Sequence, residues 1–474
     1  MSTAPTPTET YLGGQWKPVT DELDVAGLEV IGELPDALTG TYYRNGPNPQ
    51  FDPITDYHLF DGDGMVHSIE LGGGSARYRN RWIEGAALLA ERAAGRALYG
   101  GLAKYAEPPA EVAASSGAFK NTSNTALLAH DGQLLALMEG GAPVALDPDD
   151  LSTRGEYTFG GTLPLNMTAH PKVDPHTGEV EGFSYLPFAP HLYVHSASKG
   201  KVTRTLAVEL PNPVMMHDFV MTERHLVIFD LPARFDYEQW MDGGPSIEWD
   251  PSLGARVGVL PRGSTTDCTT WIDIDPCYVF HFMNGWEHHD GHLSVVGCRA
   301  DAMPTAFGDD TETAADPAVL HRWEIDPARG TVDCTPLGAS SSAAGPGLKG
   351  DFPVIDPRSA GSAHRFGYLS STGDWDQVDV HWDRIHKVDL STGEQWERRF
   401  PDGFSGGESQ FVNDPGRPNE DGGWLLNLIS DHRSGRSELW VLDAEHLDAD
   451  PVARIVAPRH VPSGFHGTWV PVTT

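Results

Sequence analysis

The 474-residue chain carries a formal net charge of −34 and a sequence pI of about 4.8. That balance opposes binding to nucleic-acid phosphates, and to anionic membrane surfaces except through a local apolar or basic patch. Hydrophobic residues at 39%, charged residues at 21% and a mean hydropathy of −0.34 describe a globular chain, able to bury a core and a channel.

In chain order, residues 1–11 are polar and rich in Thr and Pro, with no basic stretch followed by an apolar one, so no secretory leader is expected. No window reaches the ~18 apolar residues of a membrane span. Cys268, Cys277, Cys298 and Cys334 form no C-x-x-C pair and are too sparse for a disulfide framework, so a reducing, cytoplasmic location is expected. Residues 84–114 are Ala- and Leu-rich. Apolar residues four apart (Leu89 and Ala93, then Ala94, Leu98 and Leu102) predict helices, interrupted at Gly95, Gly100 and Gly101. This segment reads equally as a packing helix or as part of a cap over an apolar substrate site.

Elsewhere short apolar or alternating runs lie between turn clusters: Gln133–Leu137, His225–Phe229, Cys277–Phe282, Leu293–Cys298 and Trp424–Ile429 are expected strands. A turn of the form D-x-x-[TR]-G recurs at Asp174–Gly178, Asp326–Gly330 and Asp389–Gly393, with a looser copy at Asp149–Gly155. Asp opens such a turn by accepting backbone N–H groups, and Gly closes it at positive φ. Repeated hairpins of this kind predict an all-β propeller of four-stranded blades, with a sandwich or β-helix as alternatives. Without a long linker, residues 1–474 are expected to form a single domain with a helical cap including about 84–114.

Among 21 histidines, His58, His67, His191, His195, His225, His381 and His386 read as ordinary hydrogen-bonded residues. His170, His217, His281 and His466 each lie in or beside an apolar run, at separations of 47, 64 and 185 residues. That is no local metal motif, but it suits a propeller in which several blades each send one residue to the axis. Spacing alone does not select these four.

Seven motifs in order resemble the carotenoid cleavage oxygenase family, whose members cleave carotenoids, apocarotenoids or stilbenes and include the retinal-pigment isomerohydrolase. They are Tyr43–Phe51 (YRNGPNPQF), Phe60–Met65 (FDGDGM), Leu134–Gly141 (LLALMEGG), His170–Asp174 (HPKVD), Met216–Phe219 (MHDF), Phe280–Asn284 (FHFMN) and Phe465–Trp469 (FHGTW). Together they cover about residues 35–474. The resemblance implies a seven-bladed β-propeller with a helical dome over the metal-bearing face. It also implies Fe(2+) held by His170, His217, His281 and His466.

By the same resemblance Glu139, Asp351 and Glu408 orient the ligating rings, a task every metal-bound imidazole requires. Asp351 departs from the family's usual glutamate and is one methylene shorter. It is expected to reach its histidine through water or a backbone shift. Thr125 matches a threonine whose methyl crowds one open metal position; its plainer reading is a packed strand residue. Phe51, Met138, Phe280 and Phe352 are candidate walls of a substrate channel and equally candidate core residues. Asp61 and Asp63 read as a structural turn.

The activity implied is dioxygenase cleavage of a conjugated C=C bond of a carotenoid or apocarotenoid to two carbonyl products, using O2. Partners are then an apolar polyene and dioxygen, no nucleic acid, and a membrane touched peripherally through the cap. Stilbene cleavage is the alternative within the family. Its stilbene cleavers usually place Lys before the ring-orienting Glu, where this chain has Met138. An apolar-ligand-binding propeller without catalysis is the alternative outside it. A calcium or zinc hydrolase would call for more oxygen ligands than four histidines offer.

Overall fold

Seven antiparallel sheets stand around a central axis in this computed structural model, which describes residues 6–303, 316–338, 347–373, 375 and 379–472. Taken from the innermost strand outward, blade two runs from Ala126–His130 to Thr153–Glu156 and blade three from Lys172–Val173 to Lys201–Glu209. Blade four runs from Val220–Met221 to Thr270–Ile274 and blade five from Tyr278–Glu287 to Thr331–Pro336. Blade six runs from Asp351–Val354 to Gln395–Arg399. Blade seven begins with Ser409–Asn413 and gains Val30–Gly32 beyond Ala453–Val456. Blade one closes the ring. The C-terminal strand Gly467–Pro471 pairs with Gly40–Pro47, with Arg44 opposite Gly467.

The strand period of two explains how the blades hold together. A middle strand is covered on both faces, so successive side chains enter different cores. Leu134 and Ala136 pack with Tyr43 and Val66 of blade one, whereas Leu135 and Leu137 pack with Val180 and Ala197 of blade three. Val295 joins Val227 and Val257 on one side, and Val296 joins Leu369 and Val388 on the other. Fully burying one such side chain contributes about 1.5–3 kcal/mol. Outer strands are polar: Lys201–Glu209 alternates Lys, Thr and Thr with partly or fully buried Val, Leu and Val.

All five expected strands are present, most of them one to four residues longer; Cys277 itself precedes its strand, Tyr278–Glu287. The three D-x-x-[TR]-G turns form as expected. In each, Asp accepts two N–H groups on Oδ1, and the Gly N–H returns to the Asp carbonyl at 2.8–2.9 Å. The looser copy is not that turn. There Asp147 accepts the N–H groups, and Gly155 lies within the strand Thr153–Glu156. Asp431–Gly435 is a further true copy, hidden in the sequence by Ser434 at the fourth position.

The expected helical segment is shorter than its periodicity suggests. A helix spans Ala86–Ala94 and stops at Gly95, which takes φ +67°, a conformation glycine adopts without strain. Leu98 is buried against Ala87 and Tyr99 outside the helix, and the second helix, Ala110–Ser116, runs past residue 114. A short helix from blade four, Tyr237–Met241, joins this region through Trp240, whose indole N–H donates to the Gly101 carbonyl at 3.0 Å. No helix among the described residues is long and apolar enough to cross a membrane.

Candidate metal centre

In blades three and four the innermost strands are only two residues long. His170 and His217 sit in loops just before the two-residue strands Lys172–Val173 and Val220–Met221. His466 immediately precedes Gly467–Pro471. His281 lies inside Tyr278–Glu287, where the register shifts between Val279 and Phe282 and turns the ring off the ladder.

The four Nε2 atoms converge. Successive pairs stand 3.0 Å (His170 and His217), 3.2 Å (His217 and His281) and 3.2 Å (His281 and His466) apart. One ligand atom from each of the four lies within 4.8 Å of all the others. Three of the rings direct Nδ1 at a carboxylate: His217 at Glu139, His281 at Asp351 Oδ1 (2.9 Å) and His466 at Glu408 Oε1 (2.8 Å). A carboxylate accepts, so the ring proton resides on Nδ1 and Nε2 presents a lone pair. Lone pairs facing one another at such distances repel, unless a cation lies among them. Cis ligands at metal–nitrogen bonds of about 2.1 Å stand about 3 Å apart, so the constellation fits a divalent metal. Burial holds His170 well below the ordinary imidazole value, reinforced by the other three rings and Lys172. Burial also lowers His466 against the pull of Glu408, whereas at His281 burial is opposed by the carboxylates of Asp351, Asp218 and Glu408, which together raise the ring.

Each carboxylate is itself held. Glu139 lies in the turn just beyond Gln133–Leu137, and its second oxygen accepts the Tyr185 hydroxyl. Burial, then Glu139, keeps Tyr185 protonated as that donor. Glu408 is mostly buried, its side chain 13% exposed. It accepts Gly467 N at 2.8 Å and Gln410 Nε2 at 2.7 Å. Asp351 contacts His281 directly, without water. The register of its strand shifts between Asp351 and Val354, and Phe352 takes φ +53°. Among the described residues His170 has no carboxylate partner.

Two cavities meet at this centre. The larger, about 240 Å³, is walled by Met138, Tyr185, Phe235, Tyr237 and Trp240 and by Tyr99, Leu102 and Tyr105 of the cap segment. The smaller, about 180 Å³, is walled by Phe280, Phe352, Trp382 and Phe465. Phe60, Thr125 and His217 line both. Thr125 is fixed by its N–H to Leu137 O (3.0 Å) and by His466 N donating to its carbonyl (3.2 Å). Phe352 stacks on His281 at 5.1 Å, and Phe280 meets His217 edge-on at 5.1 Å.

Phe51 lines neither cavity. It packs against Val19, Met65, Trp82 and Leu88. The aromatic group Phe119, Tyr237 and Trp240, and Tyr185, carried no sequence signal; only the meeting of blades three and four with the cap reveals them. Asp61 anchors the cap, accepting Leu102 N at 2.7 Å and His58 N at 3.0 Å. Among histidines read as ordinary, His67 pairs with Tyr78, His195 with Ser184 and Thr205, and His225 with Glu287.

Comparison with known proteins bears on this arrangement. The family model described as retinal pigment epithelial membrane protein matches residues 16–471. The chain belongs to that family, which includes the carotenoid cleavage oxygenases. It is 32% identical to a carotenoid cleavage oxygenase of Mycobacterium tuberculosis over 98% of both chains. It is also 32% identical to carotenoid 9,10(9',10')-cleavage dioxygenase 1 of Phaseolus vulgaris, over 97% of this chain and 89% of that one. Among solved structures, Pseudomonas brassicacearum lignostilbene dioxygenase superposes with a TM-score of 0.87 at 29% identity, covering 99% and 100% of the two chains. Cobalt-substituted Synechocystis apocarotenoid oxygenase superposes with a TM-score of 0.86 at 28% identity, covering 98% and 99%. The family assignment makes the chain an oxygenase by descent, and the histidine cluster is a group able to hold a metal.

Proposed function

We propose that this protein is an iron(II)-dependent dioxygenase that cleaves a conjugated double bond of a carotenoid or apocarotenoid to two carbonyl products. The observation that carries the reading is the convergence of four Nε2 lone pairs, three with their Nδ1 protons committed to carboxylates, between two apolar cavities. His170, His217, His281 and His466 would hold the metal, oriented by Glu139, Asp351 and Glu408. Iron(II) in an all-imidazole site supplies binding and activation of dioxygen. The chain supplies the rest: aromatic and Met walls orient a rigid polyene past the metal and exclude water, and Thr125 narrows the passage where the cavities meet.

Met138 lines the larger cavity beside Glu139 and offers no cation for a phenolic hydroxyl. The likeness to a lignostilbene dioxygenase keeps stilbene cleavage as the second reading. Iron-loaded protein incubated with apocarotenals and with resveratrol-type stilbenes under 18O-labelled dioxygen separates them. Labelled aldehydes from the apocarotenals are expected. Products from stilbenes alone overturn the substrate assignment, and metal-free protein, or iron without oxygen uptake, points to a binder of apolar ligands. The exposed apolar side chains Leu89, Phe119 and Met241 on and near the cap support peripheral membrane contact for substrate pickup.

A further inference from the structure

His170, His217 and His281 stand on different blades, and each lies within two residues of a contact to one buried carboxylate. Asp218 follows His217 directly, and its side chain is only 2% exposed. Oδ1 accepts Lys172 Nζ at 2.6 Å, two residues beyond His170, and Phe219 N at 2.8 Å. Oδ2 accepts Phe282 N at 2.9 Å, the residue after His281. This N–H lies at the end of the register shift between Val279 and Phe282, and Asp218 is its acceptor. Lys172 is held in turn, with Nζ 5.8 Å from the centre of the Phe219 ring. A buried carboxylate needs such partners. What is unusual is their source: blade three, the root of blade four and blade five, each beside a histidine of the cluster. His466 is braced separately, its N–H on the Thr125 carbonyl and its own carbonyl accepting Asn45 N at 3.0 Å.

We propose that Asp218 is a positioning residue of the metal centre. Together with Lys172 and the Phe282 N–H it sets the mutual placement of His170, His217 and His281 before any metal binds. The inference rests on the reading of the four histidines as metal ligands, and it concerns three of them. Contacts one layer beyond the ligands typically carry 10–100-fold in metal affinity. Asp218→Asn keeps an acceptor for Phe282 N but removes the charge that holds Lys172. Lys172→Met removes the same pair from the other, partly exposed side.

The test is cobalt(II) titration of metal-free protein, followed by the visible absorption of bound cobalt, with near-ultraviolet circular dichroism and metal-free melting as folding controls. Both variants are expected to bind cobalt about tenfold more weakly than wild type, with altered band positions. The double variant is expected to be no weaker than D218N alone, because the two act through one contact. Asp24→Asn, which breaks an exposed pair with Arg77 far from the centre, is expected to leave affinity unchanged. Unchanged affinity in folded D218N and K172M overturns the proposal. So does a loss that appears only as lowered metal-free melting, which is what a purely structural ion pair gives. Wild-type protein that binds no cobalt overturns the metal reading itself, and the proposal with it.

Discussion

At the scale of single residues, Asp351 shows how a conservative change is absorbed. Its carboxylate is one methylene short of a glutamate, yet Oδ1 reaches His281 Nδ1 at 2.9 Å and also accepts Phe352 N at 2.8 Å. The positive φ of Phe352 is uncommon for a bulky residue and costs about 1–3 kcal/mol, a strain typical of functional sites. Asp351→Asn is expected to weaken metal binding by about 10–100-fold, since a neutral amide supports the ring less well. Asp351→Glu is expected to lower affinity as well, because the added methylene has no room in an already direct contact; isothermal titration with cobalt reads both. His281→Ala, which removes the ring between His217 and His466, is expected to abolish metal binding and turnover, measured by metal analysis and oxygen uptake. Retained activity would remove His281 from the ligand set.

At the scale of elements, the innermost strands do two tasks. Those of blades three and four are two residues long, which frees the preceding loops to carry histidines. That of blade five is ten residues long and carries its histidine on a bulge. Its far end is tied to blade four by Glu287, which accepts Thr222 Oγ1 (2.6 Å), Arg224 N (2.8 Å), Arg224 Nε (2.5 Å) and His225 Nδ1 (3.0 Å). Burial alone would raise this carboxyl, but those donors hold it down at about 2. Because the folded-state value is depressed, the stabilisation is present above the usual glutamate value of 4.5 and is lost as pH falls from there towards about 2. Glu287→Gln is expected to cost about 1.5–3 kcal/mol at neutral pH, with the gap to wild type closing over that acid window in denaturant titrations.

At the scale of the whole molecule, every blade sends one residue to the centre. Blades one, three, four and five present His466, His170, His217 and His281, while blades two, six and seven present Glu139, Asp351 and Glu408. The carboxylates stand behind the rings, so the ligand shell proper stays neutral. A metal there would link the ring-closing blade to three others. Removing it by chelation is expected to lower stability by about 2.7 kcal/mol relative to protein in metal at 100 times its Kd. Hydrogen exchange in Gly467–Pro471 and Gly40–Pro47 is expected to speed up first, because, of the two pairings that close the ring, this one directly follows a histidine of the cluster, His466. Exchange unchanged at the closure would show that blade packing holds it without the metal.

The sequence by itself determined the blade-building pattern: period-two strands covered on both faces, and turns in which Asp supplies an acceptor and Gly a positive φ. These are local properties, and even there Asp431–Gly435 escaped because Ser434 does the work expected of Thr or Arg. It also carried the identity of the four histidines, through motifs in family order rather than through spacing. Only the tertiary structure decided what stands around them. Glu408 gains a backbone donor from Gly467, 59 residues on. Asp351 reaches His281 of blade five directly, from a strand of irregular register. Tyr185, Trp240 and Asp218 acquire partners across blades. Phe51, read equally as channel wall or core, packs as core, because which side of an aromatic meets a cavity is set by neighbours distant in sequence. Such placements depend on contacts between distant segments, which no local pattern encodes.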